Sequence, residues 1–485
     1  MAGCNSEDLQ LNTLACSGVE ETRSGMAMTT RTLTRPRQAS TRLKLASIGG
    51  DVLAVVIGVA ASFSVHIVGD LYISEIILIP LLPILILVHP RRIFRTGLTT
   101  VLVLMGFWLF GQMMTDLYRS TALTDWMREY ANIGFFAVNL VCLAAILGRN
   151  ERRKAIFVAG FAIGSLLAVR FQPSVYLSSD PWKFGYSIGT NMAVVLISCY
   201  FFRHRRYVIV GLLLAGIMGV NLLMNFRSPV LNFLVTMALI LPVIPEHIGR
   251  LTLLPRAGSA MRVVVLAAIA LSAGFAASGL VHFATSSGLV GHEAQAKNAA
   301  QLGSGVGMLL GGRSEILVSS RAVMDSPILG HGSAGRDYKY VEMWNDIQAE
   351  FGASLDLQDI EANSKGLIPT HSHLMNAWVK AGILGGIFWI FIWWLALKGI
   401  FRVAIERPSL APLYTYMLVE LLWNILFSPF GGTRRATVSL MIVIILDLLH
   451  PAATVARAAG VNLTGRLGGR RWVRHPNPRV AFPSR

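Results

Sequence analysis

Three arginines and two histidines are the residues in this sequence whose type and position favour chemistry. Arg227 lies in a short hinge between two apolar runs, and Arg313 and Arg321 lie in a long polar stretch. A guanidinium keeps its charge and binds phosphate oxygens in pairs. His371 and His373 lie where the polar stretch enters the next apolar run, and a largely neutral imidazole accepts a proton at pH 7. The set indicates anion binding combined with proton transfer.

The arginines also have an ordinary structural interpretation. An arginine at the end of an apolar run, such as Arg227, commonly extends its charge to the membrane surface. Residues 314–325 are predicted to form a helix that follows a glycine turn, and a solvated loop helix would need no function. Arg313 and Arg321, eight residues apart, would lie on roughly one face of it. On composition alone, the ordinary interpretation of this helix is favoured.

The two histidines are expected to have different surroundings. They are two residues apart, which on a helix separates their side chains by about 200°. His371 and His373 therefore cannot both face one site. Either one could be a general base, and either could be an ordinary residue at the membrane surface.

The elements that must position these residues are membrane helices. The chain has 485 residues, of which 54% are hydrophobic and 14% charged, with a mean hydropathy of +0.57. Repeated apolar runs of about 20 residues are what the hydrocarbon core of a bilayer requires. The four cysteines form no Cys-x-x-Cys pair, which gives no support to a disulfide or zinc site. The sequence predicts a polytopic, all-α membrane protein.

Twelve apolar runs alternate with short polar joints. They are residues 45–68, 76–88, 97–114, 131–147, 155–169, 187–202, 208–224, 230–243, 263–283, 374–397, 413–426 and 438–449. About twelve transmembrane helices are predicted, nine in residues 45–284 and three in residues 374–449. No internal repeat is evident that would suggest a transporter built from two related halves.

The basic residues predict the orientation of these helices. Arginine and lysine collect in alternate joints, at 89–95, 148–154, 203–206, 250–262 and 398–407. Basic loops face the cytoplasm, which places both termini inside and the polar stretch 285–373 outside. The net charge of +17 is thus explained by topology and indicates no nucleic-acid partner. Residues 1–44 are predicted to be a disordered basic arm without a cleavable signal peptide, and 450–485 a cytoplasmic basic tail.

The outer stretch also contains an amphipathic segment, Asp337–Phe351. Its apolar side chains recur at helical spacing; they are Tyr340, Met343, Trp344, Ile347 and Phe351. An apolar face in a polar loop must cover something. The pattern predicts a lid that packs over the membrane helices or lies on the outer leaflet.

Taken in order, these motifs resemble those of the O-antigen ligase and Wzy-type polysaccharide polymerase family. The resemblance rests on Arg227 in its outer hinge, on GR at 312–313 followed by SPILGHG at 326–332, and on a histidine eleven residues before GILG at 382–385. That count selects His371, followed by Ser372 where the family usually has Asn. His373 is the rival assignment. Phe226 precedes Arg227 where family members often have Ser.

The resemblance implies a GT-C-like glycosyltransferase of the bacterial inner membrane with one large periplasmic loop. Its donor would be an undecaprenyl-pyrophosphate-linked oligosaccharide and its acceptor a glycan, with a chain-length regulator and a flippase as further partners. Arg227 and Arg313 would bind the pyrophosphate, and His371 would be the catalytic base. Arg321 and His373 are secondary candidates.

The reaction is expected to need no metal or cofactor, since no outer loop contains Asp-x-Asp, and in-line attack would invert the anomeric carbon. Polymerisation of O-antigen or exopolysaccharide repeat units is the favoured activity. A ligase that hands the glycan to a lipid A core or a protein would share the same residues. A lipid-linked oligosaccharide flippase is a more distant alternative. Flippases use ionisable or broken-helix features near the bilayer midplane, whereas the middles of these apolar runs are nearly free of charge.

Overall fold

A computed structural model describes residues 37–67, 69–94, 96–173, 175–240, 259–287, 315–350 and 357–450. The chain divides into two compact units, residues 1–47 and residues 48–485. Of the first unit, only the helical backbone from Arg37 onward is described. Of the predicted disordered arm, residues 1–44, the part from Arg37 onward is helical. The part before Arg37, the basic tail after His450 and Arg313 lie outside the described residues.

Helices make up most of the described chain. In the first half they are α1 Arg37–Ala60, α2 Ile73–Val88, α3 Pro90–Ile93, α4 Thr96–Arg119, α5 Leu123–Leu147, α6 Glu151–Phe171, α7 Val175–Ser179, a π-helical turn Trp182–Tyr186, α8 Ser187–Arg203, α9 Tyr207–Leu223 and α10 Arg227–Ile240. In the second half they are α11 Ser259–Ser286, α12 Glu315–Asp325, α13 Tyr338–Glu350, α14 Leu357–Ser364, α15 His373–Ala381, α16 Ile383–Glu406, α17 Ala411–Phe427 and α18 Arg434–Leu448. The strands β1 Ser64–His66 and β2 Asp70–Tyr72 form a small antiparallel hairpin.

Several of these helices have the length and composition of membrane spans. Within the described residues, five are long and apolar enough to cross a bilayer; they are Gly97–Arg119, Leu123–Leu147, Glu151–Phe171, Trp182–Arg203 and Ile383–Glu406. Five shorter apolar helices accompany them, at Ile48–Ala60, Ile73–Val88, Tyr207–Leu223, Arg227–Ile240 and Ala411–Phe427. Large apolar side chains such as Leu87 and Val208 remain exposed on their outer faces, as lipid-facing residues do. The prediction of a helical membrane protein is confirmed.

An aromatic cluster joins α4, α5 and α16 to the turn between α17 and α18. Its members are Trp108, Phe136, Phe388, Trp389 and Phe430, whose ring centroids lie 5.0–6.2 Å apart. Aromatic pairs at this spacing stabilise a core beyond the effect of their buried area. This cluster, called the aromatic floor below, lies beside His373, which contacts Trp389 and Phe430.

Helices α4 and α5 continue past the apolar runs that predicted them. The run at 97–114 becomes a helix that ends at Arg119, and the run at 131–147 becomes a helix that begins at Leu123. Asp116, which follows the apolar run 97–114, is a fully buried helical residue. An apolar run ends at the first charged side chain, whereas the helix continues through that residue when the side chain has hydrogen-bond partners. The run 45–68 is shorter than predicted, because α1 ends at Ala60 and the hairpin follows.

The described part of the outer stretch has a small core of its own. Helix α12 confirms the predicted helix at 314–325, and α13 confirms the amphipathic one. The apolar face of α13 packs against α12 and α15 in a cluster formed by Val318, Ala322, Tyr340, Trp344, Ile368 and Val379. The predicted lid therefore covers loop helices and α15.

Candidate functional site

His371 lies at the junction between the outer stretch and the helical bundle. It precedes Ser372, whose hydroxyl caps α15 by accepting a hydrogen bond from the amide of Met375 at 3.1 Å. The His371 side chain is 31% exposed, and its Nδ1 lies 3.5 Å from Oε1 of Glu315, the first residue of α12. The Glu315 side chain is 14% exposed, and its other oxygen, Oε2, has no hydrogen-bond partner among the described residues. A carboxylate thus stands beside an accessible imidazole.

His373 occupies a very different environment. It is the first residue of α15 and is completely buried, with its ring against Trp389 at 4.8 Å and Phe430 at 5.2 Å. Its Nδ1 lies 2.6 Å from the carbonyl oxygen of Ser428. Burial, aided by the positive charge of Arg434, holds the pKa of His373 well below its usual value. This imidazole stays neutral and packs as part of the aromatic floor.

The two histidines do have different surroundings, but not for the predicted reason. The prediction assumed that both side chains project from one helix. Helix α15 begins at His373, and His371 lies in the extended segment before the cap. Their separation therefore comes from the entry of the chain into the helix rather than from a rotation of about 200° along it.

Arg227 begins α10, and α10 packs against α17. Its Nε donates to Oδ1 of Asn225 at 3.2 Å, and Asn225 has a left-handed backbone with φ of 52°. Further along α10, Phe233 stacks on Tyr416 of α17 with ring centroids 4.7 Å apart. This tight turn between α9 and α10 sets the position of Arg227 at the start of α10.

Helix α17 also receives the segment that contains His371. The Ser372 hydroxyl donates to the carbonyl oxygen of Ile425 at 2.7 Å, and His373 contacts Ser428 just beyond the end of α17. The helix that begins with Arg227 and the segment that contains His371 are thus both seated on α17. This shared support is the structural link between the two candidates.

Arg321 makes an ordinary contact on its own helix. Its Nε lies 3.1 Å from Oδ1 of Asp325, one turn further along α12, and the side chain is 54% exposed. Exposed pairs of this kind stabilise a helix only slightly.

The glycine-rich segment 326–332 holds the outer stretch against the bundle. Gly330 and Gly382 have φ of 72° and 67°, a region that glycine adopts without penalty. A Cβ on Gly382 would lie 1.8 Å from the carbonyl oxygen of Ile328, and one on Gly330 would lie 2.6 Å from that of Val379. These glycines permit two backbones to touch, so their role is packing.

The outer end of α4 fastens the same segment. Asp116 accepts a hydrogen bond from the amide of Ser333 at 2.6 Å and another from its hydroxyl. Arg119 donates through Nε and Nη2 to the carbonyl oxygen of Gly330 at 3.1 and 2.9 Å. Lys380 of α15 pairs with Glu129 of α5 at 2.9 Å. Each of these contacts joins residues more than 200 positions apart in the sequence.

Two arginines at the start of α18 were also missed. Arg435 is buried and forms a bidentate pair with Glu75, at 2.7 Å from Nε to Oε1 and 2.8 Å from Nη2 to Oε2. Arg434 donates to the carbonyl oxygen of Pro429 at 2.5 Å and acts electrostatically on His373. They adjoin the predicted twelfth run, where arginines are easily counted as membrane-edge residues. Arg435 has a structural partner, whereas Arg434 adds positive charge beside the candidate site.

Comparisons with known proteins leave the family open. No protein-family model matches the chain, and no curated protein matches it. The resemblance to lipid-linked glycan transferases therefore rests on the residues and their arrangement alone.

Proposed function

We propose that the protein is a glycosyltransferase of the bacterial inner membrane that polymerises O-antigen or exopolysaccharide repeat units from an undecaprenyl-pyrophosphate carrier. The observation that carries this proposal is the pairing of His371 with Glu315 at the junction of a docked outer loop and a helical membrane bundle. A lipid-linked donor would present its reacting carbon at the membrane surface, where a base at this junction would meet it. Among the two candidate histidines, only His371 has an exposed imidazole.

In the proposed reaction, a hydroxyl oxygen of the acceptor sugar attacks the anomeric carbon of the donor. His371 takes the hydroxyl proton, and Glu315 holds the imidazole and stabilises the imidazolium that forms. The bond between the anomeric carbon and the pyrophosphate oxygen breaks, and the electron pair leaves with the lipid pyrophosphate. Because attack is in line, the anomeric configuration inverts.

The leaving pyrophosphate needs its developing negative charge stabilised. Arg227 and Arg313 are proposed to do this, since guanidinium groups bind phosphate oxygens in a bidentate geometry. The support for Arg227 is its place at the start of a helix packed on α17, the helix that also seats Ser372. Arg321 is a weaker candidate because its guanidinium is paired with Asp325. No metal or cofactor is part of the proposed reaction.

The proposal includes an arrangement in the membrane of about twelve spans, with both termini in the cytoplasm and residues 285–373 in the periplasm. The basic joints support it, since each falls on the side that the positive-inside rule assigns. A flippase is less well supported. The bonds from Asp116 and Arg119 fasten the outer stretch to α4, and the residues that suggest chemistry gather at helix ends.

A deletion strain that carries variants of the protein tests the proposed activity. Wild-type chain should restore a ladder of long glycans, whereas His371→Ala should leave single repeat units. A ligase would give another pattern, because its loss accumulates free lipid-linked polymer. A His371→Ala variant that is present in the membrane and restores the full ladder would contradict the proposal.

A further inference from the structure

A solvent-open cavity lies between the turn that joins α4 to α5 and the docked segment of the outer stretch. Its volume is about 250 Å³. It is lined by Arg119, Thr121, Ala122, Asp125, His331, Ala334, Arg336 and Asp337. Six of the eight lining residues have polar or charged side chains. Neither Arg227 nor His371 contributes to it.

We propose that this cavity binds a sugar of the glycan at a distance from the reacting carbon, an inference that rests on the proposed function. The volume is smaller than the roughly 300–1,000 Å³ of pockets for drug-sized ligands, and it suits a single ring.

The chemistry of the lining favours a neutral polyhydroxylated ligand. Arginine side chains only donate hydrogen bonds, ionised aspartates only accept them, and the Thr121 hydroxyl does both. Sugar hydroxyls need donors and acceptors alternating around a ring. A free anion would meet the carboxylates of Asp125 and Asp337, and a cation would meet the guanidinium groups, so the balance of charge disfavours either.

Arg336 is the group that can engage such a ligand. Its Nη2 contacts both oxygens of Asp125, at 3.3 and 3.1 Å, while its side chain is 52% exposed. Among the described residues, its Nε and Nη1 form no hydrogen bond or ion pair. The planar fork therefore presents further donors to the cavity while Asp125 fixes its orientation.

Hydrogen bonds hold two lining residues of the cavity in place, and one of them contacts α12. Arg119 is held by the carbonyl oxygen of Gly330, and Nε2 of His331 lies 2.9 Å from the carbonyl oxygen of Ala322 on α12. Glu315, which contacts His371, lies seven residues earlier on that helix. At 1.5 Å per residue, Glu315 and Ala322 lie about 10 Å apart along α12. One helix therefore contacts both a lining residue of the cavity and the candidate base.

Oligosaccharide released by mild acid from the host's own lipid-linked donor is the probe for this cavity, because it lacks the pyrophosphate. Binding to the full-length protein in nanodiscs should weaken about tenfold or more in Arg336→Ala, which removes a charged donor. Lys339→Ala is the matched control. Lys339 is a loop cation of similar exposure, 63%, paired with Asp325 at 2.9 Å, and it does not line the cavity.

Arg336→Lys provides the second variant, since it keeps the charge beside Asp125 and loses the fork. It should fold as the wild type does and still bind the oligosaccharide more weakly. Equal binding by wild type and Arg336→Ala, an equal loss in Lys339→Ala, or no binding by wild type overturns the inference. Transfer from intact donor, measured in parallel, separates the two proposals. If Arg336→Ala transfers glycan with an unchanged KM, sugar binding in the cavity is contradicted and the transferase proposal stands. If the wild type binds the oligosaccharide but transfers nothing, the transferase proposal is contradicted and binding in the cavity stands.

Discussion

At the scale of single residues, accessibility separates two histidines that the sequence offered as rivals. His371 is partly exposed beside Glu315, and His373 is enclosed by Trp389 and Phe430. Replacement of either is expected to reduce activity, but for different reasons. His371→Ala should abolish transfer and leave stability unchanged, because the side chain lies outside the core.

His373→Ala should instead reduce the free energy of unfolding by about 3–5 kcal/mol, as for other large buried rings. Thermal unfolding in detergent, measured for both variants with Lys339→Ala as the reference, distinguishes the two effects. A stable His373→Ala protein without activity, together with a fully active His371→Ala protein, would transfer the role of base to His373.

The contact between Glu315 and His371 predicts a positioning effect on catalysis. Glu315→Gln keeps the size of the side chain but loses the negative charge that stabilises the imidazolium. A misplaced or unsupported base can reduce turnover by up to about a hundredfold, and kcat should fall with KM little changed. Glu315→Asp should recover part of the activity. Equal kcat in Glu315→Gln and wild type would show that the contact has no catalytic role.

At the scale of elements, Gly330 of the outer stretch and Gly382 between α15 and α16 allow the outer stretch to pack against the bundle. Gly382→Ala places a Cβ against the carbonyl oxygen of Ile328, 1.8 Å from its ideal position, at a positive φ. We expect the segment 326–332 to leave the bundle, with faster cleavage of the outer stretch by protease and lost activity.

Gly106→Ala is the control for this prediction, since a Cβ there meets no atom within 4 Å. In the middle of α4, it should stabilise the helix by up to about 1 kcal/mol. Identical proteolysis of the two variants would contradict the proposed docking role of Gly382.

The docked segment also predicts a dependence of stability on pH. Burial is the largest cause that lowers the pKa of His331, and the positive charge of Arg119 lowers it further. The contact with the Ala322 carbonyl has the opposite effect and raises the pKa. Asp337 and Asp325 also face the ring and raise the pKa. Because the folded pKa lies below the unfolded value of 6.5, the unfolded chain binds more protons at low pH. Stability is then complete above about pH 6.5 and declines as the pH falls through the folded pKa.

His331→Gln tests this dependence, because a glutamine amide can donate to the carbonyl oxygen of Ala322 without titrating. The difference in melting temperature between wild type and His331→Gln should change between pH 7.5 and 5, with wild type losing more stability. His373 titrates in both proteins and cancels from the difference. Parallel pH curves would show that His331 does not couple to folding.

At the scale of the whole molecule, periodicity and composition predicted the helical membrane class and two loop helices. Long-range pairs were beyond them. Asp116 with Ser333, and Lys380 with Glu129, join positions more than 200 residues apart, and nothing in local sequence selects one partner for a charge. The same limit applies to Glu315, which reads as an ordinary first-turn acid until α12 is placed beside His371.

The candidate site was predicted in part for the same reason. Residues that belong to a motif, such as His371 and Gly382, stood out in the sequence. Residues that act through another, such as Arg119 beneath Gly330 and Arg434 beside His373, carry no pattern of their own. Only the packing of α4, α15 and α18 brings them to the site.

The central claim is that this chain transfers glycan from a lipid pyrophosphate, and the most direct test is to follow the products of purified protein with a synthetic undecaprenyl-pyrophosphate oligosaccharide. Wild type should extend the glycan, invert the anomeric linkage at the new bond and release undecaprenyl pyrophosphate, also in the presence of a chelator. His371→Ala should give no product, and Lys339→Ala should match wild type. Movement of unchanged donor across vesicles without a new linkage would contradict the account.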